Sequence, residues 1–176
     1  MLILPYIDEL DLYNEYKFDE PWDGPNNRKL ASRMPRVFAF SGDYVPGNTT
    51  TNYLAVAGAE TVWPGSQGLP SGAVKDEAGN TILIVENRGA GVHWMEPRDL
   101  FIADMDFTLN STNGISSKYV DPAVATVNGT VFRLTPDITP QALRAMLSIK
   151  DSRDMVMDEK GGWHLLPDGR QRPLAK

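Results

Sequence analysis

The chain has 176 residues, 41% hydrophobic and 23% charged, with a formal net charge of −6 and no cysteine. That is enough chain for one domain with its own core. The acidic balance argues against nucleic acid or an anionic membrane as partner, and the missing thiols exclude disulfides, thiolate nucleophiles and cysteine-ligated metals.

In chain order, Pro5 to about Lys17 reads as an amphipathic helix. Pro5 suits its first turn, Asp8 and Glu9 sit where the dipole favours acids, and Ile3, Tyr6, Leu10 and Tyr13 form a core stripe. Asp19 to Asn27 reads as a turn-rich loop, and Pro25 to Met34 as a short helix ended by Pro35. Arg36 to Phe40 alternates and reads as a strand, as do Asn52 to Ala57 and Val92 to Met95. Ser41 to Thr51 is a loop. Trp63 to Gly79 is rich in glycine and reads as a long irregular loop, a type that is usually functional. Thr81 to Glu86 is the best strand, preceded by the turn signal Gly79-Asn80. Asp104 to Tyr119 has no clear period. Asn128-Gly129 between alternating segments predicts a hairpin of Ala123–Val127 and Thr130–Leu134. Thr139-Pro140 caps a helix to about Ile149, with Leu143, Met146 and Leu147 facing the core. Together these predict an α+β fold. Residues 1–156 form one domain, and 157–176 form a tail or a terminal hairpin around Asp168-Gly169.

The longest strongly apolar run, Thr81 to Val85, is far short of the about 20 residues a spanning helix needs. A basic start followed by a longer apolar stretch, as in an export signal, is also missing from the sequence as read. We expect a chain that neither spans a membrane nor directs its own export.

Few residues suit catalysis. His93 and His164 are the two histidines; His93 lies close enough to Glu96 to pair with it, or it is a half-buried histidine bonded to backbone. Asp19, Glu20 and Asp23 on an irregular loop are calcium candidates by residue type, as are Asp76 with Glu77 and Asp104 with Asp106. None completes a calcium-loop pattern, and we expect helix capping and loop fixing instead. No Gly-x-Ser-x-Gly elbow, dinucleotide loop or P-loop is present. Of the four tryptophans, Trp63 and Trp94 are the partner-binding candidates, since tryptophan near loops suits protein or sugar contact; the reading we favour for such tryptophans is a plug in the core beneath a loop. Asn48, Asn110 and Asn128 match the glycosylation sequon, and Asn128 also has its hairpin role.

Several blocks, in order, carry a resemblance. They are Leu4-Pro5-Tyr6, Glu9, Leu12-Tyr13-Asn14, Asp19-Glu20-Pro21-Trp22-Asp23 and Asn26-Asn27. Further on come Thr50-Thr51-Asn52-Tyr53, Asn80-Thr81-Ile82 with Glu86, Trp94 with Pro97, Asp99 and Leu100, and the helix at Leu143 to Leu147. This succession resembles a planctomycete family of pseudopilin-like proteins, a domain of unknown function usually found behind a prepilin-type cleavage and methylation helix, similar to type II secretion pseudopilins. That helix, and a cysteine-proline after the strand near Phe40, have no counterpart here, so we expect a domain missing its N-terminal part. The resemblance implies a pilin-like domain, an N-terminal amphipathic helix on a mainly antiparallel sheet, in the cell envelope or outside the cytoplasm. The expected function is a non-enzymatic structural or interaction domain with protein partners or self-association and no cofactor. The alternative is a carbohydrate- or peptide-binding module using the Trp63–Gly79 surface.

Overall fold

The computed structural model describes residues 1–40, 42–66, 68–70, 72–74 and 78–150, together with the strands at 155–157 and 163–165. The Asp76–Glu77 pair, the Asp168-Gly169 turn, the middle of the Trp63–Gly79 loop, and the side chains of Trp163 and His164 lie outside the described residues. The fold is α+β, with a four-stranded sheet and few helices. The chain divides into two compact units, Met1–Tyr53 with Ala90–Asp99, and Leu54–Gly89 with Leu100–Lys176.

The first unit is built from turns. Its opening segment is not the helix that Pro5 to Lys17 predicts. It forms a 3-10 turn at Leu4–Ile7 and then α1, Leu10–Glu15. Between them Asp8 adopts a left-handed conformation (φ 63°), while the Glu9 N–H closes back on the Leu4 carbonyl at 3.0 Å. Left-handed backbone cannot continue a right-handed helix, so the periodicity is reset. The buried residues become Leu4 and Leu12, at 0% and 1% exposure, while Tyr6 of the predicted stripe is 86% exposed and Ile3 and Leu10 are also exposed.

The helix expected after Pro25 is present as a 3-10 helix, Asn27–Arg33. Arg36–Phe38 is a 3-10 turn and not a strand, because the Phe38 and Ala39 N–H groups bond to the Pro35 and Arg36 carbonyls. Val92–Met95 is likewise no strand. Thr51 N–H bonds to the Val92 carbonyl and Trp94 N–H to that of Thr49, and then a Glu96–His93 hydrogen bond turns the chain away. The core of this unit is Leu4, Leu12, Leu30, Met34, Trp94 and Met95. Helix α1 therefore packs on turns of its own unit.

The second unit carries the sheets. The strands are β1 (Tyr53–Leu54, whose Tyr53 is counted with the first unit), β2 (Val56–Ala57), β3 (Ile82–Glu86), β4 (Leu100–Phe101), β5 (Ala123–Thr126) and β6 (Val131–Arg133). The strand predicted at Asn52–Ala57 is split at Ala55. Its first half joins the sheet β1–β3–β5–β6 and its second half pairs in parallel with β4. Strands β3, β5 and β6 are antiparallel neighbours, with a register shift at Leu83. Val124 and Thr126 alternate inward along β5.

The predicted hairpin is present, with one difference. Thr126 and Thr130 close a three-residue loop, and the Gly129 N–H bonds to the Thr126 carbonyl at 2.9 Å. Gly129 alone has positive φ, at 86°. This is the turn followed by a left-handed glycine that three-residue hairpins use, where a two-residue Asn-Gly turn needs both residues left-handed. Asn128 contributes through its side chain, whose Oδ1 accepts from the Thr130 N–H and the Thr126 hydroxyl.

Helix α2 (Pro140–Leu147) forms as predicted, with the Thr139 hydroxyl accepting from the Ala142 N–H at 3.1 Å. Leu143, Met146 and Leu147 are fully buried. Strands β7 (Met155–Met157) and β8 (Trp163–Leu165) pair antiparallel, Met155 opposite Leu165 and Met157 opposite Trp163.

Candidate functional site

The first unit holds an apolar groove of about 520 Å³ lined by Leu2, Tyr16, Phe18, Trp22, Met95 and Pro97 among others, with Glu96 as its charged residue. Its geometry starts from the loop between Lys17 and Asn27. Asn27 is completely buried. Its Oδ1 accepts from the Lys17 N–H at 2.8 Å, and its Nδ2 donates to the Lys17 and Pro21 carbonyls at 2.8 and 2.9 Å. One amide thus satisfies three backbone groups that lie outside any helix or sheet. Gly24 closes the same loop, its N–H bonding to the Pro21 carbonyl at 2.9 Å. A side chain at Gly24 would strike that carbonyl and Glu20. Glu20 accepts from the Asn26 backbone N–H at 3.1 Å and from its side-chain amide.

Trp22 emerges from this loop onto His93, with ring centroids 4.8 Å apart. His93 is followed in the stack by Trp94 at 6.4 Å, and Trp94 by Phe38 at 5.9 Å. The Trp94 indole N–H donates to the Ala31 carbonyl at 2.8 Å. Trp94 is 7% exposed and belongs to the core, the favoured reading for a tryptophan near a loop, while Phe18 and Trp22 line the groove.

His93 and Glu96 do not pair through their side chains. The His93 Nδ1 accepts from the Met95 N–H at 3.2 Å, which places the ring proton on Nε2. Glu96 accepts from the backbone N–H of His93 at 3.3 Å and holds Arg98 at 2.7 Å. Arg98 also reaches the Ala90 and Gly91 carbonyls. Burial pushes the His93 imidazole below its ordinary value, and Glu96 opposes this without cancelling it. Hydrogen bonds from Arg98 hold the Glu96 carboxyl low. These bonds fix the turn that carries His93 in the aromatic stack and Glu96 on the groove lining.

Among the described residues no three histidine, aspartate or glutamate side chains gather as a metal would need. Asp19 and Asp23 are exposed, and Glu20 is committed to Asn26. In the second unit, Asp104 and Asp106 bond to Asn113 through backbone groups. Trp63 is 41% exposed, and its indole N–H donates to the carbonyl of Leu83, the residue at the register shift. The Asn110 amide of the sequon bonds to the Val120 carbonyl and the Ser117 N–H.

The groove residues Tyr16, Phe18 and Met95 carry no motif of their own. The signal for them is the density of aromatic residues flanking Asp19 to Asn27. No helix among the described residues is long and apolar enough to cross a membrane. Comparison of the chain with protein-family models, with curated proteins and with solved structures finds no match.

Proposed function

We propose that this chain is a non-enzymatic interaction domain of a pseudopilin-like envelope protein, engaging a protein partner or a second copy through the aromatic groove of its first unit. The observation that carries the reading is the exposure of large apolar side chains on one short segment: Leu2, Ile3, Tyr6, Leu10 and Phe18 are all more than half exposed. They share a unit with the 520 Å³ groove. Exposure of several large apolar side chains within one segment is a mark of interaction sites, and aromatic anchors supply most of the energy in such contacts.

Three further features support the same reading. The segment Asp19 to Asn27, whose Asp-Glu-Pro-Trp-Asp and paired asparagines resemble the pseudopilin-like family, contributes Pro21 and Trp22 to the groove lining. The α+β content with a largely antiparallel sheet is also compatible with a pilin-like globular domain. The side chains best placed for catalysis, His93 and Glu96, are tied to backbone and to Arg98.

The test is site-directed photo-crosslinking in the source cells, with the photoreactive residue at Phe18. Cross-links to a pseudopilin-like envelope subunit or to a second copy are expected. Cross-links confined to cytoplasmic enzymes would count against the envelope assignment. Turnover in a hydrolase screen that is abolished by His93→Asn would overturn the non-enzymatic one.

A further inference from the structure

Away from that groove, the first unit contains a second cavity of about 350 Å³ bordered by Arg36, Val37, Phe40, Tyr44 and Tyr53. We propose that it is a binding site for a monoanionic carboxylate carried on an aromatic or apolar group. Arg36 would hold the carboxylate, and the Tyr44 and Tyr53 rings would take the rest.

The argument begins with the cation. Arg33, Arg98 and Arg144 each hold a carboxylate side chain. The Arg36 guanidinium has no hydrogen bond or ion pair among the described residues. It lies over the Tyr44 ring, 5.5 Å from the centroid, an arrangement that orients the planar fork without using its donors. An exposed guanidinium on the rim of this open depression, with no protein acceptor among the described residues, is matched by a carboxylate, which accepts two parallel N–H bonds.

The walls are held in place. The Phe40 N–H donates to the Asn52 Oδ1 at 3.0 Å, the Asn52 N–H to the Phe38 carbonyl at 2.9 Å, and the Thr51 hydroxyl to the same carbonyl at 3.1 Å. These bonds fix the Arg36–Phe40 turn to the strand leading into Tyr53. Phe40 is buried at 3% exposure and meets the half-buried Tyr53 edge to face at 6.0 Å, so it backs the Tyr53 ring from the core side. The volume lies at the lower end of the range for small-ligand pockets and suits a single ring.

The charge state follows from the count of cations. One arginine compensates one negative charge. A dianionic phosphate would keep a second charge uncompensated, on a chain whose net charge is already −6.

The probes are N-acetyl-phenylalanine, its C-terminal amide, phenyl phosphate and a tetrapeptide ending in phenylalanine, titrated into the full chain and followed by two-dimensional amide NMR. The acid is expected to shift the resonances of Arg36, Tyr44 and Tyr53, and the amide to bind on the order of tenfold more weakly or less. Arg36→Gln should weaken the acid by a similar factor while the rest of the spectrum is kept, and Arg36→Lys should recover part of the loss. A tetrapeptide that binds more tightly than the single residue identifies a peptide C-terminus as the source. Equal binding identifies a small aromatic acid, and both uphold the site. The proposal is overturned if the amide binds as well as the acid, if phenyl phosphate binds more tightly, if Arg36→Gln keeps full affinity, or if the acid produces no shift at about 10 mM, a concentration at which even weak specific binding registers.

Discussion

Asn27 holds the groove together at the scale of a single residue. Its amide is the buried partner of three backbone groups in a segment without regular structure. Asn27→Ala leaves those groups unpaired, and unsatisfied buried groups cost about 1–3 kcal/mol each. We expect a loss of about 3 kcal/mol in denaturant unfolding, with loosening of the Trp22–His93 contact visible as a change in tryptophan emission. Nothing in the sequence marks Asn27 as buried, because asparagine is ordinarily a surface and turn residue. Its role depends on Lys17, ten positions away. Gly129 is the opposite case, legible from the Asn-Gly pair alone. At φ 86°, with open space where a Cβ would stand, its cost of substitution is purely conformational. Gly129→Val should lower stability by about 1 kcal/mol or more, and Gly129→Asn by clearly less; paired thermal melts decide.

His93 makes the residue scale dependent on pH. Burial favours its neutral form, and Met95 N–H requires an unprotonated Nδ1. The folded protein therefore binds this proton less readily than the unfolded chain, whose histidine titrates near about 6.5. The contribution is complete above that value and is lost as pH falls through the lower folded value. Stability measured at about pH 7.5 and about pH 5 should fall toward the acid side. In His93→Asn, which keeps an acceptor but does not titrate in this range, that part of the fall should disappear.

At the scale of elements, agreement between sequence and structure follows the range of the deciding interaction. Helix α2 has its cap, its proline and its core face all inside ten residues, and it forms as predicted. Thr139→Ala should cost about 1 kcal/mol and Thr139→Ser much less, as read by chemical denaturation. Strand β3 is legible for the same reason: its β-branched run carries its own preference. The opening helix, Arg36–Phe40 and Val92–Met95 are the failures. Each has a plausible period, and each is overridden by one backbone event: the left-handed Asp8, the 3-10 bonds after Pro35, and the turn closed by His93 and Glu96. Short segments in turn-rich chains have little propensity to resist such events.

At the scale of the whole molecule, the two units differ in how their backbone is satisfied. The second uses sheet ladders and α2, whereas the first relies on 3-10 turns and side-chain amides such as Asn27 and Asn52. Ladder and helix bonds buried under apolar side chains open least often. Native-state hydrogen exchange should therefore be slowest in Ile82–Glu86, Ala123–Thr126 and Pro140–Leu147, and faster in Leu4–Ile7 and Arg36–Phe38. Uniform protection across both sets would show that the turn-built unit is as tightly held as the sheet.

By itself the sequence determined what depends on composition and on neighbours in the chain: an acidic α+β chain without thiol chemistry, the strand Ile82–Glu86, the hairpin at Gly129 and the capped helix Pro140–Leu147. Only the tertiary structure decided which apolar residues of the opening segment are buried, where Trp22 and Trp94 point, and that Arg36 lies on the rim of a ring-lined depression. The physical reason is distance along the chain. Asn27 to Lys17, Trp94 to Ala31 and Asn52 to Phe40 are pairings across ten or more residues, and no local pattern encodes which partner a buried polar group will find.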